Sequence, residues 1–73
     1  MTSPTLTDMD KLAHLLEHWQ EHNNDHAANY RSWADKAEES GKTEASGLLR
    51  QAANVTDQVT EIFTRAAEAL SKK

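Results

Sequence analysis

The chain has 73 residues, of which 37% are hydrophobic, a mean hydropathy of −0.83 and a formal net charge of −4. A single core in a domain this small supplies only about 3–5 kcal/mol, and natural mini-proteins usually add a disulfide, a metal or a subunit contact. Because the sequence has no cysteine, disulfides and thiolate metal sites are excluded, which leaves subunit association, a histidine–carboxylate metal site or very good helix packing.

The first part of the chain predicts a leader followed by a long helix. Residues 1–6 are expected to be a flexible leader, and residues 7–73 to be a single helical-hairpin domain. Thr7 and Asp10 have the spacing of a capping box, and the helix is expected over about residues 8–40, where there is no proline or glycine. Its predicted core line has helical spacing and comprises Leu12, Leu16, Trp19, Asn23, Ala27, Tyr30, Ala34 and Ala37.

A second helix is predicted after a turn at about residues 41–43. Gly41 suits the left-handed position that ends a helix, and either Thr43 or Ser46 is expected to cap the second helix, over about residues 44–71. A helical wheel places the acidic side chains of Asp57, Glu61 and Glu68 on the outer face. The predicted core line of this helix comprises Leu48, Ala52, Val55, Val59, Ile62, Ala66 and Leu70, with Phe63 and Ala69 beside it.

The predicted fold is all-α, an antiparallel two-helix hairpin. Because two helices bury only one surface against each other, we expect a homodimer that forms a four-helix bundle, or docking on another helical protein. Trp19 and Tyr30 are interpreted as packing residues. Asn23 either makes a hydrogen bond between helices or specifies the register of a dimer, and Trp33 either covers a site or packs at an interface.

Histidine recurs every four residues, at His14, His18, His22 and His26. Residues four apart are neighbours on a helix, so an imidazole pair at this spacing can hold one divalent metal ion. The wheel predicts a gradient along the run, from His14 facing water to His26 near the core. His22 and His26 are therefore the preferred metal ligands, with His18 as a possible third, and a second copy of the pair would complete a four-histidine site.

The net negative charge is concentrated beside the histidines. Residues 1–26 hold five acidic residues and one basic residue, whereas residues 27–73 hold seven of each. Such a field attracts cations and repels phosphates, and without a basic face nucleic-acid binding is not expected. Protons compete with a metal for imidazole nitrogen, so binding should weaken as the pH falls.

No enzyme class fits the remaining patterns. Two stretches match the H-x-x-E-H order of some zinc peptidases, but the match follows from the four-residue repeat, and the chain offers no distant third ligand. It also lacks the Glu-x-x-His motif of di-iron bundles and a glycine-rich phosphate loop. We expect a non-enzymatic protein in the cytoplasm, because no targeting or membrane-spanning segment is apparent.

The span from His18 to Trp33 resembles the motif of a known family. His18-Trp19, His22-Asn23, His26 and the later Trp33-Ala34 resemble a family of small uncharacterised prokaryotic helical-hairpin domains with a His-Trp-x-x-His-Asn-x-x-His motif. These domains are similar to ones found near nickel-handling accessory proteins of the CooT type. The resemblance covers about residues 12–70, leaves His14 outside the motif, and implies metal binding or metallocentre accessory work.

Two functional hypotheses follow. The first is a carrier, storage or accessory protein that binds a divalent transition metal, nickel or zinc, through His22 and His26, with His18 as a possible addition. The alternative is a helical interaction or dimerisation module without a metal.

Overall fold

The computed structural model describes residues 7–72, and the predicted leader lies outside them. Two helices, α1 (Asp8–Glu39) and α2 (Thr43–Ser71), pack against each other as an antiparallel hairpin of about 64 × 22 × 11 Å. The prediction of an all-α hairpin is confirmed for this part of the chain. Neither helix is both long and apolar enough to cross a membrane.

The ends of α1 follow the sequence prediction. The Thr7 hydroxyl accepts a hydrogen bond from the Asp10 amide, and the Asp10 carboxylate accepts one from the Thr7 amide, so the capping box is formed. Gly41 adopts a φ of 78°, a conformation that glycine reaches without the steric penalty of a β-carbon. The chain therefore reverses direction within three residues of the end of α1.

The start of α2 differs from the prediction. Lys42 occupies the capping position without a side-chain hydrogen bond, so neither Thr43 nor Ser46 caps the helix. Ser46 is instead buried at the contact with α1, and its hydroxyl has no hydrogen-bond partner among the described residues. It takes this place because its small side chain fits where the two helices approach closely next to the turn.

Each helix contributes one seam of alternating three- and four-residue steps to the contact. This contact seam is made of buried and half-buried side chains: Leu16, Gln20, Asn23, Ala27, Tyr30, Ala34 and Ala37 from α1, and Ser46, Leu49, Ala53, Thr56, Thr60, Phe63, Ala67 and Leu70 from α2. The heptad-like spacing is that of helices packed side by side in a left-handed pair. Alanine, serine and threonine dominate the seam, so the helices pack closely but bury little apolar area.

The core lines predicted from sequence were partly wrong. Trp19 remains 37% exposed while Gln20 lies in the seam, and most of the line predicted for α2 faces solvent, with Leu48 at 59%, Val55 at 49% and Ile62 at 58% exposure. The seam of α2 lies one residue further along the chain than predicted, which is a rotation of about 100°. A helix with a single neighbour buries a single seam. In α2 the more apolar line, through Leu48, Val55 and Ile62, is the one that stays exposed to solvent.

Polar contacts join the two helices along one edge of the hairpin. Arg31 donates hydrogen bonds to Asn54 at 3.0 Å and to Asp57 at 2.6 Å, and Arg50 forms ion pairs with Asp35 at 2.8 Å and Glu38 at 3.4 Å. The hydrogen bond that Arg50 donates to the Asp35 carboxylate raises the pKa of Arg50 above its ordinary value. Asp57, which was predicted on the outer face, is exposed and accepts its hydrogen bond from Arg31 at the edge of the hairpin.

Substitution of Ser46 by alanine is expected to stabilise the hairpin. The change removes a buried hydroxyl that lacks a partner, a defect that typically costs about 1–3 kcal/mol. Ser32→Ala, on the exposed surface of α1, is the matched control because it gains the same helix propensity without relieving burial. Thermal unfolding should show a larger rise in melting temperature for Ser46→Ala, and an equal or smaller rise would contradict the assigned burial.

Candidate metal centre

The histidine run forms a ladder of neighbouring rings along α1. The ring centres of His18 and His22 are 5.6 Å apart, and those of His22 and His26 are 4.6 Å apart. The ladder continues beyond the last histidine, because Tyr30 stacks on His26 with ring centres 5.9 Å apart and planes 12° from parallel. The sequence already contained this signal, since Tyr30 follows His26 by the same four residues, but Tyr30 was interpreted only as a core residue.

All four histidines are exposed in the hairpin. The prediction that the inner end of the run approaches the core is therefore wrong for a single chain, because His26 is exposed like the others. The reason is that α2 covers only one side of α1. His26 is rotated by about 80° around the helix axis from the contact seam, and no helix in the described part of the chain packs against that side. The rings are free to accept a ligand from solvent.

The closest pair is His22 and His26, and it lies near the middle of α1 rather than at an end. At the roughly 2.0–2.1 Å length of a zinc–imidazole bond, one ion between two adjacent rings can contact a nitrogen of each. His18 lies next in the ladder and is the third candidate. Among residues 7–72, however, no three histidine, cysteine, aspartate or glutamate side chains are grouped so that they could hold a metal ion.

His14 has different surroundings from the inner pair. It lines a shallow surface depression with Lys11, Leu15 and His18, and the cationic Lys11 there disfavours a metal ion nearby. His22 instead lines a shallow groove with Trp19, Asn23 and Phe63. His14 thus lies apart from the His22–His26 pair, whereas His18 shares the depression with His14.

The side of the hairpin that bears the inner histidines is largely apolar. Trp19 packs on Phe63 of α2 with ring centres 5.5 Å apart, and a second groove on the same side runs between Tyr30 and Leu48, Ala52 and Val55 of α2. The ion pairs between the helices lie on the opposite side. An ion held at His22 would therefore lie at the border of an apolar surface.

Trp33 does not cover the histidines. It lies two helical turns, about 10 Å, beyond His26 along α1, and the Lys36 ammonium is 4.3 Å from its ring centre in a cation–π contact. The indole remains 59% exposed. Of the two roles considered for Trp33, packing at an interface is the more compatible with this position.

The two tryptophans are expected to differ in their effect on stability. Trp19→Ala removes an aromatic contact between the helices, and such pairs contribute about 0.5–1.5 kcal/mol beyond the area they bury. Trp33→Ala is the matched control, because surface changes usually stay within about 0.5 kcal/mol. Urea unfolding at a protein concentration low enough to keep the chain monomeric should show the larger loss for Trp19→Ala, and equal losses would contradict this contact.

Comparison with known proteins places the chain in a family. Residues 12–70 match the family described as Domain of unknown function (DUF8180). A protein of Archaeoglobus fulgidus described as uncharacterized is 38% identical over 60 residues, which cover 82% of this chain and 95% of the relative. No solved structure matches the chain. The chain therefore belongs to the DUF8180 family.

Proposed function

We propose that this hairpin is a non-enzymatic protein that binds a divalent transition metal, nickel or zinc, through His22 and His26. His18 is the candidate for a third ligand. The observation that carries the proposal is the 4.6 Å separation of the two exposed imidazole rings on adjacent turns of one helix. Its role would be the carriage, storage or delivery of the metal to a metallocentre.

The chemistry of the donors favours these metals. Imidazole nitrogen suits zinc, copper, iron and nickel, whereas magnesium and calcium prefer oxygen ligands. The excess negative charge of residues 1–26 lies on the same half of the chain and attracts cations. The resemblance of the His18–Trp33 motif to domains found near nickel-handling accessory proteins supports nickel as the first metal to test.

A site with two protein ligands suits transport better than permanent retention. Structural zinc sites are closed by four protein ligands, whereas sites with open positions accept further ligands. An ion held by one pair of imidazoles keeps positions for water or for donors from another protein. Exposure of both rings allows such a receiver to approach, so the metal can be passed on without unfolding of the hairpin.

A second candidate function is a helical interaction or dimerisation module. The observation that favours it is the exposure of the apolar line of α2, including Leu48, Val55 and Ile62. Surfaces of this kind on a small protein mark sites of protein–protein contact. In this function the histidines are solvent-facing residues without a ligand.

Addition of nickel or zinc is expected to stabilise the wild-type protein. A ligand that binds only the folded state at 100 times its dissociation constant adds about 2.7 kcal/mol, and each kcal/mol raises the melting temperature of a domain this size by about 4–8 °C. Titration calorimetry and thermal melting should therefore show binding heat and a rise of about 10 °C or more. The variant with both His22→Ala and His26→Ala should lose both responses.

The control for this experiment is His14→Ala, which removes an exposed histidine outside the inner pair. It is expected to retain the wild-type response. Absence of binding heat and of a melting shift with both metals would refute the metal function. If the melting temperature then still rose with protein concentration, in the wild type and in the double variant alike, the interaction module would be the better description.

A further inference from the structure

The exposed apolar side of the hairpin has the same periodicity as the buried contact. Moving back by one residue from each position of the contact seam gives a second seam, here called the offset seam. On α1 it comprises Leu15, Trp19, His22, His26, Asn29, Trp33 and Lys36, and on α2 it comprises Ala45, Leu48, Ala52, Val55, Val59, Ile62, Ala66 and Ala69. It contains both tryptophans and the large exposed aliphatic residues of α2.

A shift of one residue rotates the direction of a seam by about 100° around the helix axis. In a four-helix bundle each helix contacts two neighbours in directions roughly at right angles, with knobs-into-holes packing. Both helices of this hairpin carry such a pair of seams, one filled by the other helix and one open. The two open seams lie on the same side, opposite the ion pairs of Arg31 and Arg50.

The positions of the offset seam of α1 from Leu15 to Trp33 are evenly spaced about residue 24, although the residue types at matched positions differ outside the histidine pair. Leu15 and Trp33 are each nine residues from that point, Trp19 and Asn29 are each five, and His22 and His26 are each two. In an antiparallel pair of α1 helices related by a twofold axis, this spacing places each position of the seam opposite its counterpart. The histidine pair at the centre favours a second copy as the partner, because among residues 7–72 no third ligand is grouped with the pair, and a copy of this chain supplies a matching pair.

The offset seam of α2 has its own centre, between residues 60 and 61. Val59 and Ile62, Val55 and Ala66, and Ala52 and Ala69 are placed symmetrically about it. The hydrogen bonds of Gln20 with Thr64 and of Arg31 with Asn54 show which residues stand at the same height across the hairpin. By the same pairing, residue 24 of α1 lies directly across the hairpin from residues 60 and 61 of α2. A single twofold axis perpendicular to the helices can therefore pass through the centres of both offset seams.

We infer that the offset seam docks on a second copy of this chain, across a twofold axis perpendicular to the helices at residue 24. In this dimer α1 lies antiparallel to α1 of the partner, and each His22 faces the partner's His26. The two pairs then surround one point on the axis and supply four imidazoles, the number that closes a tetrahedral zinc site. The metal part of this inference rests on the proposed function, and it explains why a single chain holds only half of a site.

The same axis predicts that the metal promotes the association. Asp25 is next to the axis, so the partner's carboxylate lies nearby, and like charges at close range repel. A divalent ion between the imidazole pairs offsets this repulsion and adds bonds to both chains. The dimer should therefore form at a lower protein concentration with the metal than without it.

The stoichiometry and mass of the metal-loaded protein test the inference. With zinc or nickel, calorimetry should give one ion for every two chains, and analytical ultracentrifugation should give twice the mass of 8.2 kDa. His22→Ala alone should abolish the metal-induced dimer, while His14→Ala should keep it. One ion per chain with a monomeric mass would overturn the shared site while leaving the proposed metal binding intact, whereas no binding at all would refute the proposed function.

The position of the axis is tested by distances between spin labels. Because the chain has no cysteine, Glu17→Cys, Ser32→Cys and Glu39→Cys each introduce one label site, and all three positions are exposed outside both seams. In the zinc-loaded protein, the distance between the two copies of a label should grow by about 3 Å for each residue that the site is moved from residue 24. The labels at 17 and 32 should thus give similar distances, and that at 39 a distance longer by about 20 Å.

A twofold axis parallel to the helices would pair α1 with α2 of the partner. With that axis, the distance between the two copies of a label would not increase with the separation of the label site from residue 24. Similar distances at all three label sites would therefore overturn the inferred axis. A dimer with unequal distances at 17 and 32, differing by far more than the expected 3 Å, would place the centre away from the histidines and would also overturn it.

Discussion

The packing of α1 on α2 through a single seam of small side chains determines the rest of the structure. Ala27, Ala34 and Ala53 are almost fully buried in it, and such residues let the helices approach closely without burying much apolar area. Burial of apolar surface contributes roughly 25 cal/mol per Å² to the free energy of folding. A seam in which many positions are alanine, serine or threonine therefore stabilises the hairpin less than one filled by large apolar side chains. Several large apolar residues, including Leu48, Val55 and Ile62, are instead exposed on the offset seam.

The number of ligands that the inner histidines can offer a metal ion depends on what packs against the offset seam. His22 and His26 stand at the centre of the offset seam on α1, between Trp19 on one side and Trp33 on the other. Within one chain they are an exposed pair of rings 4.6 Å apart, a half-site on a helix. In the proposed bundle they would occupy the interior, where metal sites of four-helix proteins are built from side chains on facing helices.

Several features could be predicted from the sequence because they depend on local interactions. The capping box at Thr7 and Asp10, the positive φ of Gly41 and the two helices all follow from residue types at short spacing. The pairing of rings along α1 follows from the same four-residue rule. Membership of the DUF8180 family leaves the biochemical role open, so the metal remains a proposal drawn from these residues.

The rotation of α2 could not be predicted, because it depends on contacts between distant residues. Hydrophobicity favoured the line through Leu48, Val55 and Ile62, and two lines one residue apart are hard to distinguish by periodicity alone. The hydrogen bonds of Arg31 with Asn54 and Asp57 join residues 23 and 26 positions apart. No local pattern indicates them, although they join the two helices in the observed orientation.

X-ray absorption spectroscopy at the metal edge of the zinc-loaded protein tests the central claim most directly, because it counts the ligands of the ion. The account predicts four imidazole nitrogens at about 2.0–2.1 Å in a tetrahedral arrangement. A shell of two imidazoles completed by oxygen would contradict the shared site and would show that each chain binds its metal alone.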